Sequence, residues 1–96
     1  MDVILEGKKL QDPGEAHPYL KRMLQLPDYY GENLDALYDC LTEICEDSLI
    51  RIEAVVPQES DYFRKILRAM QDAAEDNPKL EVRIAHGYYV EAQNAR

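Results

Sequence analysis

Two short segments of alternating apolar and polar residues, Leu49–Val55 and Leu80–Ile84, are separated by a stretch of a different period. Ser60 opens that stretch as a helix cap. Phe63, Ile66, Leu67, Met70 and Ala73 then recur at helical steps, and Asn77-Pro78 closes it. Strands joined through a helix of this length cannot form a hairpin, so the connection is a crossover and the pairing is parallel. Ile50, Ile52 and Ala54 oppose Arg51 and Glu53, and Leu80, Val82 and Ile84 oppose Glu81 and Arg83. One face of each strand is therefore polar, and helices are expected on one side of the sheet only.

The first half of the chain supplies the remaining elements. Val3 to Leu5 reads as a buried strand ended by the turn signal Glu6-Gly7-Lys8. Asp12-Pro13-Gly14-Glu15 has capping-box spacing and starts a helix whose stripe is Leu20, Met23 and Leu24. Pro18 would break a helix interior but is tolerable in the first turn, where it is expected and where amide donors lack partners. Pro27 ends the segment. Asn33 to Cys45 is the clearest helix, with Leu34, Leu37, Leu41, Ile44 and Cys45 on one side, and Glu46-Asp47-Ser48 stops it. The expected fold is a two-layer α/β domain over residues 1–86, a three-stranded parallel sheet with about three to four helices. Residues 87–96 are expected to be a C-terminal extension.

Composition removes several functions. With 19 acidic and 11 basic side chains, the formal net charge is −8. Phosphate backbones and anionic membranes repel such a surface, so neither nucleic acid nor membrane is an expected partner. No uninterrupted apolar run exceeds three residues, far short of the ~20 needed to cross a bilayer. The acidic amino terminus has no signal-peptide pattern, and a cytoplasmic location is expected. Cys40 and Cys45, five positions apart on the expected helix, are rotated by about 140° and do not suit a bridge. CxxxxC is neither a zinc nor a redox motif, so two reduced thiols are expected.

No catalytic constellation can be assembled. The sequence has no phosphate-binding loop, H-E-x-x-H, EF-hand loop or G-x-S-x-G. His17 and His86 lie on different elements and read as ordinary surface or interface histidines. Asp35 and Asp39 could meet a hard cation at helical spacing, but magnesium sites draw ligands from more than one element. No enzyme activity, cofactor or metal is expected.

The charge distribution is more informative than its sum. Between Arg22 and Arg51 there is no Lys or Arg, while Asp28, Glu32, Asp35, Asp39, Glu43, Glu46 and Asp47 all fall there. On a continuous helix Asp35, Asp39, Glu43 and Glu46 occupy a sector of roughly 80°, opposite the leucines, with Tyr38 at the border. Like charges at this spacing weaken a helix by roughly 0.2–0.5 kcal/mol per pair. Late acids also oppose its dipole. A stripe that costs stability points to function. Tyr29 and Tyr30 just before it supply aromatic anchors of the kind that mark interfaces.

The run Leu26-Pro27-Asp28-Tyr29-Tyr30-Gly31-Glu32-Asn33-Leu34-Asp35-Ala36-Leu37-Tyr38-Asp39-Cys40-Leu41 closely resembles the barstar family of intracellular ribonuclease inhibitors. The similarity extends to the first strand, the Gly7 turn and the first helix, and more loosely to the last helix and strand. It implies a three-stranded parallel sheet with packed helices. It also implies one-to-one binding of a basic, barnase-like ribonuclease by a protein that is monomeric when free. The family sets its second helix and the preceding loop into the enzyme's active site. Asp39 would then take the phosphate position and Asp35 would meet basic and backbone donors. Tyr29 would pack on the catalytic histidine, and Asp72 would pair with an arginine. Tyr30, Asn33, Leu34, Tyr38, Glu43 and Ile44 complete the implied contact set. Family members often carry Trp where this chain has Tyr38 and Ile44, and Gly where it has Glu43. The segment before the last helix is about four residues shorter than the family's, so a reduced third family helix is expected. These departures keep open a second reading, a barstar-like module for a different basic protein or toxin.

Overall fold

The computed structural model describes residues 1–53 and 60–85. Strand β1 is Asp2–Glu6, helix α1 is Pro13–Met23, helix α2 is Leu34–Thr42, strand β2 is Ser48–Glu53, helix α3 is Asp61–Asp76 and strand β3 is Leu80–Ala85. A 3₁₀ turn, Gly7–Leu10, follows β1 where the sequence suggests only a turn. The sheet is parallel throughout, in the order β1-β2-β3. The expected α/β fold with a three-stranded parallel sheet is therefore what forms.

Register follows from the apolar pattern. Leu5 aligns with Ile52 and Ile52 with Ile84, which directs one side chain from each strand toward the helices. On the opposite face Ile4, Arg51 and Arg83 share a row, and all three are exposed. Helices thus cover a single face. The core between the layers includes Leu5, Ile50, Ile52 and Leu80 from the sheet. Leu20, Leu37, Leu41, Phe63, Ile66 and Met70 come from the helices.

Helix α3 begins and ends where the sequence places it. The Ser60 side chain accepts from the Phe63 amide at 3.0 Å. Ser60 also binds Gln11 twice: its amide donates to Gln11 Oε1 and its hydroxyl to the Gln11 carbonyl, both at 2.7 Å. The cap of α3 is thereby joined to the turn after β1. Helix α1 starts on Asp12, whose side chain accepts from Glu15 N at 3.2 Å.

Strand β1 is not buried throughout, since Ile4 is 52% exposed on the uncovered face, and two helix expectations also require correction. Pro18 lies inside α1, beyond its first turn. It is exposed, as is Gly14, whose carbonyl loses its helical donor on a side that solvent reaches. Helix α2 ends at Thr42 rather than Cys45. The cause is Asn77, buried after α3, whose side-chain amide donates to the carbonyls of Leu41 and Ile44, both at 3.0 Å. The Leu41 carbonyl also accepts from Ile44 N at 3.3 Å, so the chain tightens past Thr42 and turns away from the helix axis. Ala54 and Val55 of the expected second strand, His86, and the extension at 87–96 lie outside the described residues.

Candidate functional site

The segment between α1 and α2 is fixed at both ends. Gln25 adopts a left-handed conformation, φ 54°, just past α1. Leu26 N then donates to Lys21 O at 2.9 Å, the long bond of a Schellman closure. A turn follows, with Tyr30 N donating to Pro27 O at 2.9 Å. At the far end Asn33 caps α2, its Oδ1 accepting from Ala36 N at 2.8 Å.

This turn sends neighbouring tyrosines in opposite directions. Tyr29 is 80% exposed and Tyr30 only 5%. The Tyr30 hydroxyl lies 2.5 Å from His17 Nδ1, and the other ring nitrogen, Nε2, lies 2.6 Å from the Tyr62 hydroxyl. Burial raises the Tyr30 phenol far above its usual range, with further contributions from Cys40, Tyr62 and Glu32. Burial also lowers the His17 imidazole from its ordinary value, partly offset by Glu32. Tyr30 is therefore an anchor of the loop in the core, not a member of the exposed face on which the sequence reading put it. His17 is likewise no surface or interface residue. It joins α1, the loop and α3.

Between these anchors Glu32 is held at φ 55°. Left-handed backbone is unfavourable for a residue with a side chain, and such strain gathers at functional segments. Asn33 is exposed, but its side chain is committed to the cap.

Helix α2 presents Asp35 and Asp39 to solvent one turn apart, followed by exposed Glu43 at its C-cap. Leu34 and Tyr38 are half-buried beside them. Among the described residues, Asp28, Glu32, Asp35, Asp39 and Glu43 form no ion pair with the protein's own cations. The last two acids of the stretch differ. Glu46 pairs with the amino group of Met1 at 3.1 Å, and Asp47 lies 3.9 Å from Lys79. With α2 ending at Thr42, Glu46 is outside the helical sector that a longer helix would have given it. Ile44 is displaced too. It lines a hollow of about 540 Å³ with Val3, Ile4 and Met23, against β1 and the end of α1.

Asp72 reaches the face from α3. A groove of about 280 Å³ runs between the helices, lined by Leu34, Asp35 and Tyr38 of α2 and by Lys65, Arg68, Ala69 and Asp72 of α3. Arg68 lies 3.7 Å from Asp72. The Tyr38 hydroxyl donates to Asp76 of α3 in a short hydrogen bond, and that bond foremost keeps the phenol protonated above its usual range. The structure thus brings together Leu34, Asp35, Tyr38 and Asp72, with Asp39 and Glu43 continuing along α2 and Tyr29 projecting from the loop. Tyr30 and Ile44 stand apart.

Burial, with Glu43 and Asp39 nearby, raises the Cys40 thiol, so it is held as the unreactive protonated form. Neither cysteine is in a disulfide. Among the described residues no three His, Cys, Asp or Glu side chains converge as a metal site. None of the described helices is long and apolar enough to cross a membrane. Chemically, the face offers carboxylates that have no counter-ion among the described residues, an exposed phenol and a shallow groove. That suits capture of a cationic surface.

Comparison with known proteins bears on this face. The sequence profile of the family described as Barstar (barnase inhibitor) matches residues 1–87. A protein of Bacillus subtilis (strain 168), named "Putative ribonuclease inhibitor YrdF", is 50% identical over 40 residues. That stretch is 42% of this chain and 44% of the relative, so the alignment spans less than half of either.

Proposed function

This chain belongs to the barstar family, and from that membership we propose that it is a ribonuclease inhibitor. Its target is a basic, barnase-like ribonuclease, bound one to one by a protein that is monomeric when free, in the cytoplasm. The face built from α2 and the loop before it covers the active site. It performs no catalysis and uses no cofactor.

The observation that carries this reading is the set of five carboxylates, on the loop and α2, that pair with no cation among the described residues. A ribonuclease cleft gathers positive side chains to hold RNA phosphates. Carboxylates presented at one-turn spacing offer the same charge without a cleavable bond. Desolvating them is unfavourable unless each meets a cation, which selects for a basic cleft and against neutral surfaces. Asp39 is the central anchor, Asp35 lies one turn before it, Tyr29 stacks on a ring of the enzyme, and Asp72 closes the edge on α3.

The test is a titration of this protein into a barnase-type ribonuclease with RNA cleavage as readout. Stoichiometric loss of activity is expected, with Asp39→Ala strongly impaired and still folded. An Asp39→Ala variant that inhibits as well as the parent removes Asp39 from the anchor role. A second reading keeps the fold and gives the face a different basic partner, such as another toxin. The turning of Ile44 toward β1 favours it, because a position that the family uses for contact is withdrawn from the face. Failure to inhibit any of a panel of barnase-like enzymes at micromolar concentration selects this second reading.

A further inference from the structure

The groove between α2 and α3 has a feature that a purely anionic face does not need. Lys65, Arg68, Ala69 and Asp72 stand at positions i, i+3, i+4 and i+7, so they share one face of α3. Across the groove lie Leu34, Asp35 and Tyr38. Two cations therefore stand on the rim of a face whose proposed partner is itself cationic. Arg68 is partly neutralised by Asp72 at 3.7 Å, in a pair open to water on both sides. Lys65 has no counter-ion among the described residues. Docked against a uniformly basic rim, both would repel. Repulsion of this kind discriminates among partners, because it is relieved only by a complementary charge.

Resting on the ribonuclease-inhibitor reading above, we propose that Lys65 and Arg68 are specificity-determining residues. The groove they border takes a carboxylate side chain, Asp or Glu, from the rim of the ribonuclease cleft. Leu34 and Ala69 contribute apolar lining, which suits the aliphatic part of such a side chain. Donors come from the Lys65 ammonium and the Arg68 guanidinium, since the Tyr38 hydroxyl is already given to Asp76. At about 280 Å³ the groove is smaller than the ~300–1,000 Å³ of pockets that enclose small molecules. One protruding side chain is its scale. Asp35 and Asp72 also border the groove, so the incoming acid seats on the Lys65 side of Arg68, and the partner surface is mixed: basic where it meets Asp35, Asp39 and Asp72, and acidic at one point opposite Lys65 and Arg68.

The experiment uses the full chain and a barnase-type ribonuclease. Lys65→Ala, Arg68→Ala and the double variant are measured for inhibition. They are crossed with ribonuclease variants in which each acidic residue on the cleft rim is changed in turn to its amide. Both side chains are exposed, so the variants are expected to keep the parental melting temperature. Each single variant should bind about tenfold more weakly, a coupling of the size that close charge pairs reach. One ribonuclease amide variant should weaken the parent by a similar factor and leave the double variant unaffected. Equal or tighter binding by the alanine variants overturns the proposal, because the two cations would then merely repel. So does the absence of any rim acid that couples to them. Failure of the parent to inhibit, or indifference to Asp39→Ala, overturns the reading beneath it as well, and so separates the two failures.

Discussion

The Asn77 side-chain amide donates to the Leu41 carbonyl at 3.0 Å, across 36 positions of sequence. A second bond at 3.0 Å reaches Ile44 O. A residue at the end of α3 thereby decides where α2 stops and where its last acids point. Asn77→Ala should destabilise the protein by about 1–3 kcal/mol, since the Leu41 carbonyl loses one of its two donors and the half-buried Ile44 carbonyl loses the Asn77 amide. Asn77→Asp should be no better, because a carboxylate cannot donate. Urea denaturation followed by circular dichroism measures both.

Stability should fall in mild acid because of His17. In the unfolded chain the imidazole takes a proton near its ordinary value of 6.5, whereas burial lowers that value in the folded protein. Below pH 6.5 the unfolded state therefore binds more protons than the folded one. Stability is complete above that pH, declines as pH falls toward the lowered value and levels off beneath it. The charged and titratable groups around the ring are Tyr30 and Tyr62, at its nitrogens, and Glu32, whose charge moderates the shift. His17→Gln should flatten the profile of urea midpoint against pH in this window.

The two tyrosines bonded to His17 should not be equivalent. Tyr30 is buried and Tyr62 half-buried. Tyr30→Phe leaves Nδ1 without a partner in a place that water does not reach, and should cost about 1–3 kcal/mol. Tyr62→Phe should cost less, as solvent can replace the lost hydroxyl. Melting temperatures of the two variants give the ranking.

Glu32 offers a separation of stability from binding. Its φ of 55° suits glycine. Relief of left-handed strain, less the added freedom of the unfolded chain, should leave Glu32→Gly more stable by about 0.5–1 kcal/mol. Under the proposed function, the same change should weaken ribonuclease binding by removing one of the carboxylates of the docking face. Parallel denaturation and inhibition measurements should therefore move in opposite directions.

Association with a basic ribonuclease should be strongly salt-dependent. The screening length shrinks from about 10 Å at 0.1 M salt to about 3 Å at 1 M. The association rate should drop by about tenfold or more across that range while dissociation changes far less. Stopped-flow mixing separates the two rates, and an association rate that ignores salt rules out the acidic face as the docking surface.

Much of the architecture was legible because its signals are local. Ser60 and Asn77-Pro78 bracket α3 within their own neighbourhood, and the alternation of Leu80, Val82 and Ile84 marks β3 without outside help. Asp35 and Asp39 could be placed on one exposed edge because helical periodicity does that unaided. What escaped depends on partners distant in sequence. The end of α2 is set by Asn77, and nothing between Thr42 and Cys45 announces it. His17 lies on α1 between Ala16 and Pro18, and only the fold reveals that Tyr30 and Tyr62 meet its two nitrogens. Tyr30 looked like a twin of Tyr29 because a pair of adjacent tyrosines gives no hint of which one a turn will bury. Lys65 and Arg68 carry no distinguishing mark within a helix of mixed charge, and their place follows only from α2 packed beside them.

Helix α2 is closed by Asn33 at one end and by Asn77 at the other. Asp35 and Asp39 are consequently separated by one turn, about 6 Å of axial rise, on a rod that can neither lengthen nor unwind without breaking a cap. An insertion inside it would rotate every later side chain off the exposed edge. Divergence toward a new target is thereby channelled into exchanges of side chain at unchanged positions. Related chains with different targets should keep both asparagines while varying what stands between them.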